Sequence, residues 1–386
     1  MVASAKDIRK SIEEKWVEYL SKYGNLFSSD SISGSSPPSV FVGSYGYPKV
    51  GVGPMVPPIH GDTSLLDLPE RWLGKSLEEI VNFRLNLVRG IQKISVNDPT
   101  GHLIENLQDL AMSSNNPDSD LVFQKNTAPI TTIDGENAPF GPIGEIKTAK
   151  FSGMSTNKII EKSYYDRDLK AEEAILSLYD SGVEISKIQK CFSMGMFGKK
   201  RRLVPTRWSI TATDDAISKS LVSEILDYAH IDSPLLFSHE HLGNVFSVLL
   251  FPHRWVFEME EAWYSDSGEI GFGADAEDAN GIDHYPSIAG AYFAAKLGVA
   301  EFLKKKKRQA GALILREIRP EYAVPVGVWQ VREAIRAAMS KKPLFVDTFD
   351  KGLDLACKNL SISKNEWLSK GTLIKMMKQK SITDFF

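Results

Sequence analysis

NVFSVLLFPHRWVFEMEEAW, residues 244–263, sets two apolar segments on either side of Pro252. The first, VFSVLLF at 245–251, is a continuous apolar run of strand length, bounded by a residue that cannot donate to a sheet ladder. The second, WVFEMEEAW, alternates. In a strand its Trp255, Phe257 and Met259 lie on one face, with Glu258 and Glu260 on the other about 7 Å apart. Carboxylates at that spacing can share a divalent metal or divide acid and base roles. Two glutamates alone are a weak metal signature, so the expectation is an edge strand with a wet acidic face, or glutamates paired with nearby arginines.

Working outward, AKDIRKSIEEKWVEYLSKY at 5–23 places Ile8, Ile12, Trp16, Leu20 and Tyr23 at helical spacing. Residues 29–58 change character. Their paired prolines and closely spaced glycines forbid a helix and predict an ordered, looping path. Ser76 and Glu79 form a capping-box pattern ahead of Ile80, Val81, Leu85 and Val88, and a further helix is expected through Ile104, Leu107 and Ala111. Residues 113–140 read as turns around a short strand, ITTI, followed by a helix from Asp168 to about Tyr179. Asp214 and Asp215 suit the first turn of another helix, where acids complement the dipole. YSDSGEIGFGADAEDANGIDHYP at 264–286 is polar and glycine-containing, so it reads as an exposed loop and a soft boundary before a helix, IAGAYFAAKLGVAEFL, and a strand, ALILREI.

The expected fold is α/β or α+β, with helices packed on a mainly β core and a flexible C-terminal tail. Its expected division is a core at 1–265, a helical or α+β region at 266–374 and a tail at 375–386. At 386 residues with 42% hydrophobic and 25% charged side chains, the chain is neither a small scaffold nor broadly disordered. A formal charge of -3 means that contact with phosphate requires a local basic patch. Cys191 and Cys357 cannot make a four-cysteine zinc site and suit a reducing interior. The charged N-terminal segment is no signal core and no long apolar run occurs, so no membrane is expected.

The densest chemical signal is KKRRLVPTRWSITATDD. Lys199, Lys200, Arg201 and Arg202 can track phosphates, while Arg207 adds a forked donor and Trp208 a stacking face. The competing reading is a solvated basic turn ahead of a buried tryptophan. His239 and His241 flank Glu240, but no third and fourth metal ligands stand at recognisable spacing. SGSSPP with Gly43, Gly46, Gly51 and Gly53 lacks any Walker or Rossmann pattern and reads as structural. The bases at 304–308 either complement a helix end or extend a DNA-facing patch.

Gln379, Ile382, Phe385 and Phe386 follow the pattern Q-x-x-aliphatic-x-x-aromatic-aromatic and resemble peptides that bind the sliding clamp PCNA. One 3₁₀-like turn would bring Ile382 and Phe385 to the same side, with Phe386 completing an apolar plug. Three longer stretches, SGSSPPSVFVGSYGYPKVGVGPMVPP from Ser33, LVPTRWSITATDD from Leu203 and NVFSVLLFPHRWVFEMEEAW from Asn244, resemble the Nre family of archaeal DNA repair proteins. Many members carry a cysteine-rich cluster ahead of the first stretch. This sequence has none there, so the resemblance implies no zinc.

What the resemblance implies is a cytoplasmic, nucleoid-associated DNA repair factor that works through PCNA, with DNA and other repair proteins as further partners. It brings no settled reaction and no cofactor, although a divalent metal stays open. An alternative is a hydrolase acting on nucleic-acid ends or nucleotide adducts, with Asp214, Glu258 or Glu260 supplying its chemistry. A second alternative is a non-catalytic adaptor between PCNA and other repair proteins.

Overall fold

The computed structural model describes residues 4–373 except 134, 136, 266 and 267, so the peptide at 379–386 lies outside the described residues. Its helices are α1 (Ala5–Tyr23), α2 (Leu77–Leu85), α3 (His102–Met112), α4 (Lys158–Tyr165), α5 (Ala171–Asp180), α6 (Ile185–Ser193), α7 (Thr206–Ile225), α8 (Gly290–Lys306), α9 (Trp329–Ser340), α10 (Phe349–Lys358) and α11 (Lys364–Lys370). Its strands are β1 (Ser31–Ser35), β2 (Ser39–Val42), β3 (Lys49–Val56), β4 (Val88–Ser95), β5 (Asp118–Phe123), β6 (Ile143–Ser152), β7 (Leu235–His241), β8 (Asn244–Phe251), β9 (Val256–Tyr264), β10 (Ile270–Glu277), β11 (Gly311–Ile318) and β12 (Leu344–Phe345). The architecture is mixed α/β, built on two six-stranded sheets of order β1-β5-β6-β4-β3-β2 and β10-β9-β11-β8-β7-β12. Each sheet contains one parallel pair, β4 with β6 and β9 with β11. No described helix is long and apolar enough to cross a membrane.

Two compact units are distinguished. One comprises 7–216 with 324–327, and the other takes in 217–323 and the chain from 328 onward. Strands β9 and β10 pair as antiparallel neighbours from Ile270↔Tyr264 to Glu277↔Phe257. The polar, glycine-bearing stretch read as an exposed loop therefore contains the edge strand β10. Glycine depresses strand propensity because it offers nothing to pack, and that signal misleads here.

In the first unit, the capping box at Ser76 and Glu79 forms as expected, each side chain serving the other's backbone N–H, but the helix ends at Leu85 and Val88 opens β4. Helix α1 buries Ile12 and Trp16. Residues 130–133 form no strand: Ile130 accepts from the Trp16 indole at 2.7 Å and Ile133 donates to Glu13 at 2.6 Å. The strand in that region is β5 instead, with Leu121 and Phe123 buried. The looping path expected at 29–58 proves to be β1, β2 and β3. Val40, Val42, Val50 and Val52 are buried, whereas a Cβ added at Gly53 would stand 1.8 Å from the Gly90 carbonyl oxygen. The glycine admits a close backbone approach. Helix α7 begins at Thr206, directly after Pro205, so Asp214 and Asp215 sit in its middle and not in its first turn.

In the second unit, β9 is no edge strand. It lies between β10 and β11, and it is covered on both faces. Phe257 meets Tyr292 of α8 edge-on at 5.1 Å, while Trp367 of α11 and Leu353 of α10 belong to the core opposite. Glu258 is wholly buried, and its carboxylate accepts the backbone N–H of Thr372 at 2.6 Å and of Leu373 at 2.9 Å. Those two bonds replace the water that a wet face would have supplied.

Glu258→Gln leaves one amide donor facing an NH₂ group. We expect it to destabilise the full chain by about 1–3 kcal/mol in urea unfolding. An unchanged midpoint would show that Glu258 does not anchor the backbone after α11.

Candidate nucleic-acid interface

The hairpin joining β2 to β3 lies in the first unit and exposes two aromatic rings, Tyr45 at 89% and Tyr47 at 53%. Its path is fixed by backbone bonds from Gly43 to Gly51 at 2.8 Å and from Lys49 to Gly46 at 3.0 Å. Gly46 has φ of +80°, a conformation that glycine adopts without penalty. The Tyr47 ring centroid lies 5.3 Å from that of Trp208, which is 46% exposed on the first turn of α7. Lys93 of β4 places its ammonium 5.7 Å from the Tyr45 centroid.

Helix α7 holds Trp208 outward because its other face is tied down. The Val42 N–H donates to Thr206 Oγ1 at 3.0 Å, and Ser209 Oγ donates to the Gln189 carbonyl at 2.7 Å. Gln189 of α6 also donates to Asp214 Oδ1 at 3.2 Å. Ser209, Thr213 and Asp214 are fully buried. Helical spacing then carries Arg207 and Trp208 to the exposed side. Asp214 acts as a packing residue of this helix.

The basic segment before α7 is pinned by backbone bonds from Leu203 to Val96 at 3.0 Å and from Val204 to Ser193 at 2.9 Å. Arg201 is already engaged. It donates to the carbonyls of Tyr164 and Asp166, and its guanidinium lies 4.9 Å from the Tyr164 ring. Burial, and after it the neighbouring Arg167, lowers its pKa. Lys199, Lys200, Arg202 and Arg207 are exposed, as are Lys49 and Lys93 of the sheet. The structure thus separates one structural arginine from the remaining bases and adds Tyr45, Tyr47, Lys49 and Lys93. In the sequence those four are visible only as SYGYPK and an isolated lysine.

Beneath this face, Asp67 joins the elements that carry it. It is 6% exposed, accepts from Ser39 Oγ at the start of β2, and pairs with Lys190 of α6 at 2.9 Å and Arg84 of α2 at 3.7 Å. Burial alone would raise its pKa. Lys190, Arg84 and the Ser39 hydrogen bond outweigh burial and hold it below the ordinary 3.8.

The other predicted residues belong to the second unit. Glu260 is fully buried beside Gly371, where an added Cβ would come within 2.5 Å of Oε1, and Glu258 serves backbone amides. His239 is pushed down to about 4 by burial, then by Lys341 and His241, which makes it neutral near pH 7. Lys304, in the basic run at the end of α8, pairs with Glu224 at 2.8 Å. Among the described residues, no three His, Cys, Asp or Glu side chains gather closely enough to hold a metal ion.

Asp67→Asn should cost roughly 3–5 kcal/mol near pH 7, since it leaves Lys190 and Arg84 buried beside a neutral amide. The depressed carboxyl stabilises the fold fully above its unfolded value of 3.8, and that contribution is lost as pH falls through the lower folded value. Urea unfolding should therefore show the gap between wild type and variant narrowing below about pH 4. A gap that stays constant with pH would count against this role.

Comparison with known proteins follows the same stretches. The family models described as archaeal Nre, N-terminal, and archaeal Nre, C-terminal, match residues 9–268 and 277–385. DNA repair protein NreB of Archaeoglobus fulgidus is 38% identical over 360 residues, covering 92% of each chain. DNA repair protein NreA of the same organism is 37% identical, covering 91% of this chain and 89% of the relative. DNA repair protein NreA of Haloferax volcanii is 31% identical, covering 94% and 91%. No solved structure matches significantly.

Proposed function

The chain belongs to the archaeal Nre family, and from that premise we propose that it is a DNA repair factor, brought to DNA by the sliding clamp PCNA and meeting DNA through the face around Arg207 and Trp208. The relatives at 38%, 37% and 31% identity are all named as DNA repair proteins, which supports the repair role. One observation supports the DNA contact above others. Strands β2, β3 and β4 and residues 194–213, which carry the exposed rings and bases of the face, contain no Asp or Glu in a chain that has 49. Local positive charge on a mildly acidic protein is the arrangement that phosphate contact requires.

Recruitment rests on Gln379, Ile382, Phe385 and Phe386, which match the clamp-binding pattern and lie outside the described residues. A tether of this kind raises local concentration at DNA, so the body needs only modest DNA affinity. A cytoplasmic, nucleoid-associated location follows from this reading. The hydrolase alternative draws no support from Asp214 or Glu258, whose oxygens are committed to Gln189 and to backbone amides. The adaptor alternative shares the clamp peptide and differs in requiring no DNA contact.

Changing Phe385 and Phe386 to Ala should weaken binding to the clamp at least about a hundredfold by calorimetry, as expected when two anchor side chains leave an apolar pocket. Unaltered binding would sink the recruitment reading.

A further inference from the structure

We propose that the face formed by Tyr45, Tyr47 and Trp208 is a binding site for single-stranded DNA, in which the rings stack on unpaired bases and Lys49, Lys93, Arg202 and Arg207 hold the phosphates. The proposal rests on the DNA repair reading for its choice of DNA and adds the strand state that the site recognises.

Three aromatic side chains stand largely in water within one hairpin and the adjoining helical turn. Tyr47 and Trp208 are inclined at 51°, so neither ring covers the other's face, and the Lys93 ammonium lies 5.7 Å from the Tyr45 ring. Ring faces open to solvent and bordered by cations are the elements of a stacking platform for nucleic-acid bases. Lys49, Lys93, Arg202 and Arg207 meet no carboxylate among the described residues, which leaves their charge available to phosphate. The platform is also preorganised. The Val42–Thr206 bond at 3.0 Å, the Val96–Pro48 bond at 2.9 Å and the Gly43–Gly51 bond at 2.8 Å hold hairpin, strand and helix in register, so little ordering cost remains on binding.

Strand state follows from which part of a base is reachable. A paired base hides both faces within its stack and offers only its edges in the grooves, where bidentate polar side chains read it. An unpaired base presents its faces, and rings bind them with little sequence preference. This surface offers exposed ring faces bordered by Lys49, Lys93, Arg202 and Arg207, which suits stacking on an unpaired strand whose phosphates those cations hold. The half-buried Arg89, by contrast, lies 5.1 Å from the Phe41 ring and 4.4 Å from the Phe140 ring and is pushed down to about 10 by burial, so those rings already have their cation.

The test uses the full chain without clamp, titrated into labelled oligo(dT) of about 15 nucleotides and into a duplex of equal length, read by fluorescence anisotropy. Single strand should bind at least about tenfold more tightly than duplex. Tyr47→Ala with Trp208→Ala should weaken single-strand binding at least about tenfold while altering duplex binding under about threefold, and Tyr47→Phe with Trp208→Phe should stay within about threefold of wild type. Lys49→Gln with Lys93→Gln should weaken both and reduce the salt slope for single strand by about 1.4.

Equal affinity for the two forms, or an alanine pair that binds like wild type, would overturn the site. Should the alanine pair misfold, tryptophan emission decides: quenching by oligo(dT) must shrink in Trp208→Phe, and full quenching there overturns the proposal. Tighter binding to oligo(U) would overturn the assignment to DNA. Because no clamp is present, failure here leaves clamp recruitment standing, and a tail variant that loses the clamp but keeps oligo(dT) leaves this site standing.

Discussion

A carboxylate taken out of water must be repaid by charge and hydrogen bonds, and Asp67 shows how much structure one such requirement can organise. Its oxygens gather Ser39 at the base of β2, Arg84 on α2 and Lys190 on α6. Strand β2 leads into the hairpin that carries Tyr45 and Tyr47, and α6 leads into the basic segment and α7. The exposed rings and bases thus hang on elements that share one buried charge. Arg84 adds a contact over the Trp72 ring at 4.9 Å, so the cation on that side is itself held by packing.

The second unit uses buried charge more heavily. Lys296, at 1% exposure, meets Glu277 Oε2 at 3.0 Å, and the Trp255 indole donates to Glu277 Oε1 at 3.1 Å. Arg316 joins Glu261 to Asn244 within the same sheet. Glu317 accepts from Ser361, Ile362 and Arg319; burial would raise its pKa, but these bonds hold it below the usual carboxylate range. Strands β9 and β11 are covered on both faces, so their acids have no water to turn to and find protein donors instead. Paired glutamates that suggest catalysis in a one-dimensional reading serve here as anchors for neighbouring backbone.

Legibility followed the range of the interaction. The capping box at Ser76, the stripe of α1, the run of β8 and the helix ending in 304–308 depend on near neighbours in the chain, and each was readable. Strands β1 to β3 and β10 were not. The glycines of β1, β3 and β10, and the prolines beside β2, lower local strand preference, and these segments are in strands because a partner backbone lies close across the sheet. The basic segment and Trp208 were visible as candidates, whereas Tyr45, Tyr47 and Lys93 were not, since nothing in a single chain states that residue 47 lies beside residue 208.

The sequence by itself determined the mixed α/β class, the Nre resemblance, the clamp-like peptide and the cluster of bases before α7, because each is a matter of residue type at short spacing. Only the tertiary structure decided which of those groups face solvent. It turned Asp214, Glu258 and Arg201 inward to backbone and side-chain partners, and it set Tyr47 against Trp208 with the remaining bases around them. The physical reason is that exposure and pairing depend on what folds over a residue, and hydrogen-bond partners such as Glu258 and Leu373 are separated by 115 positions of chain.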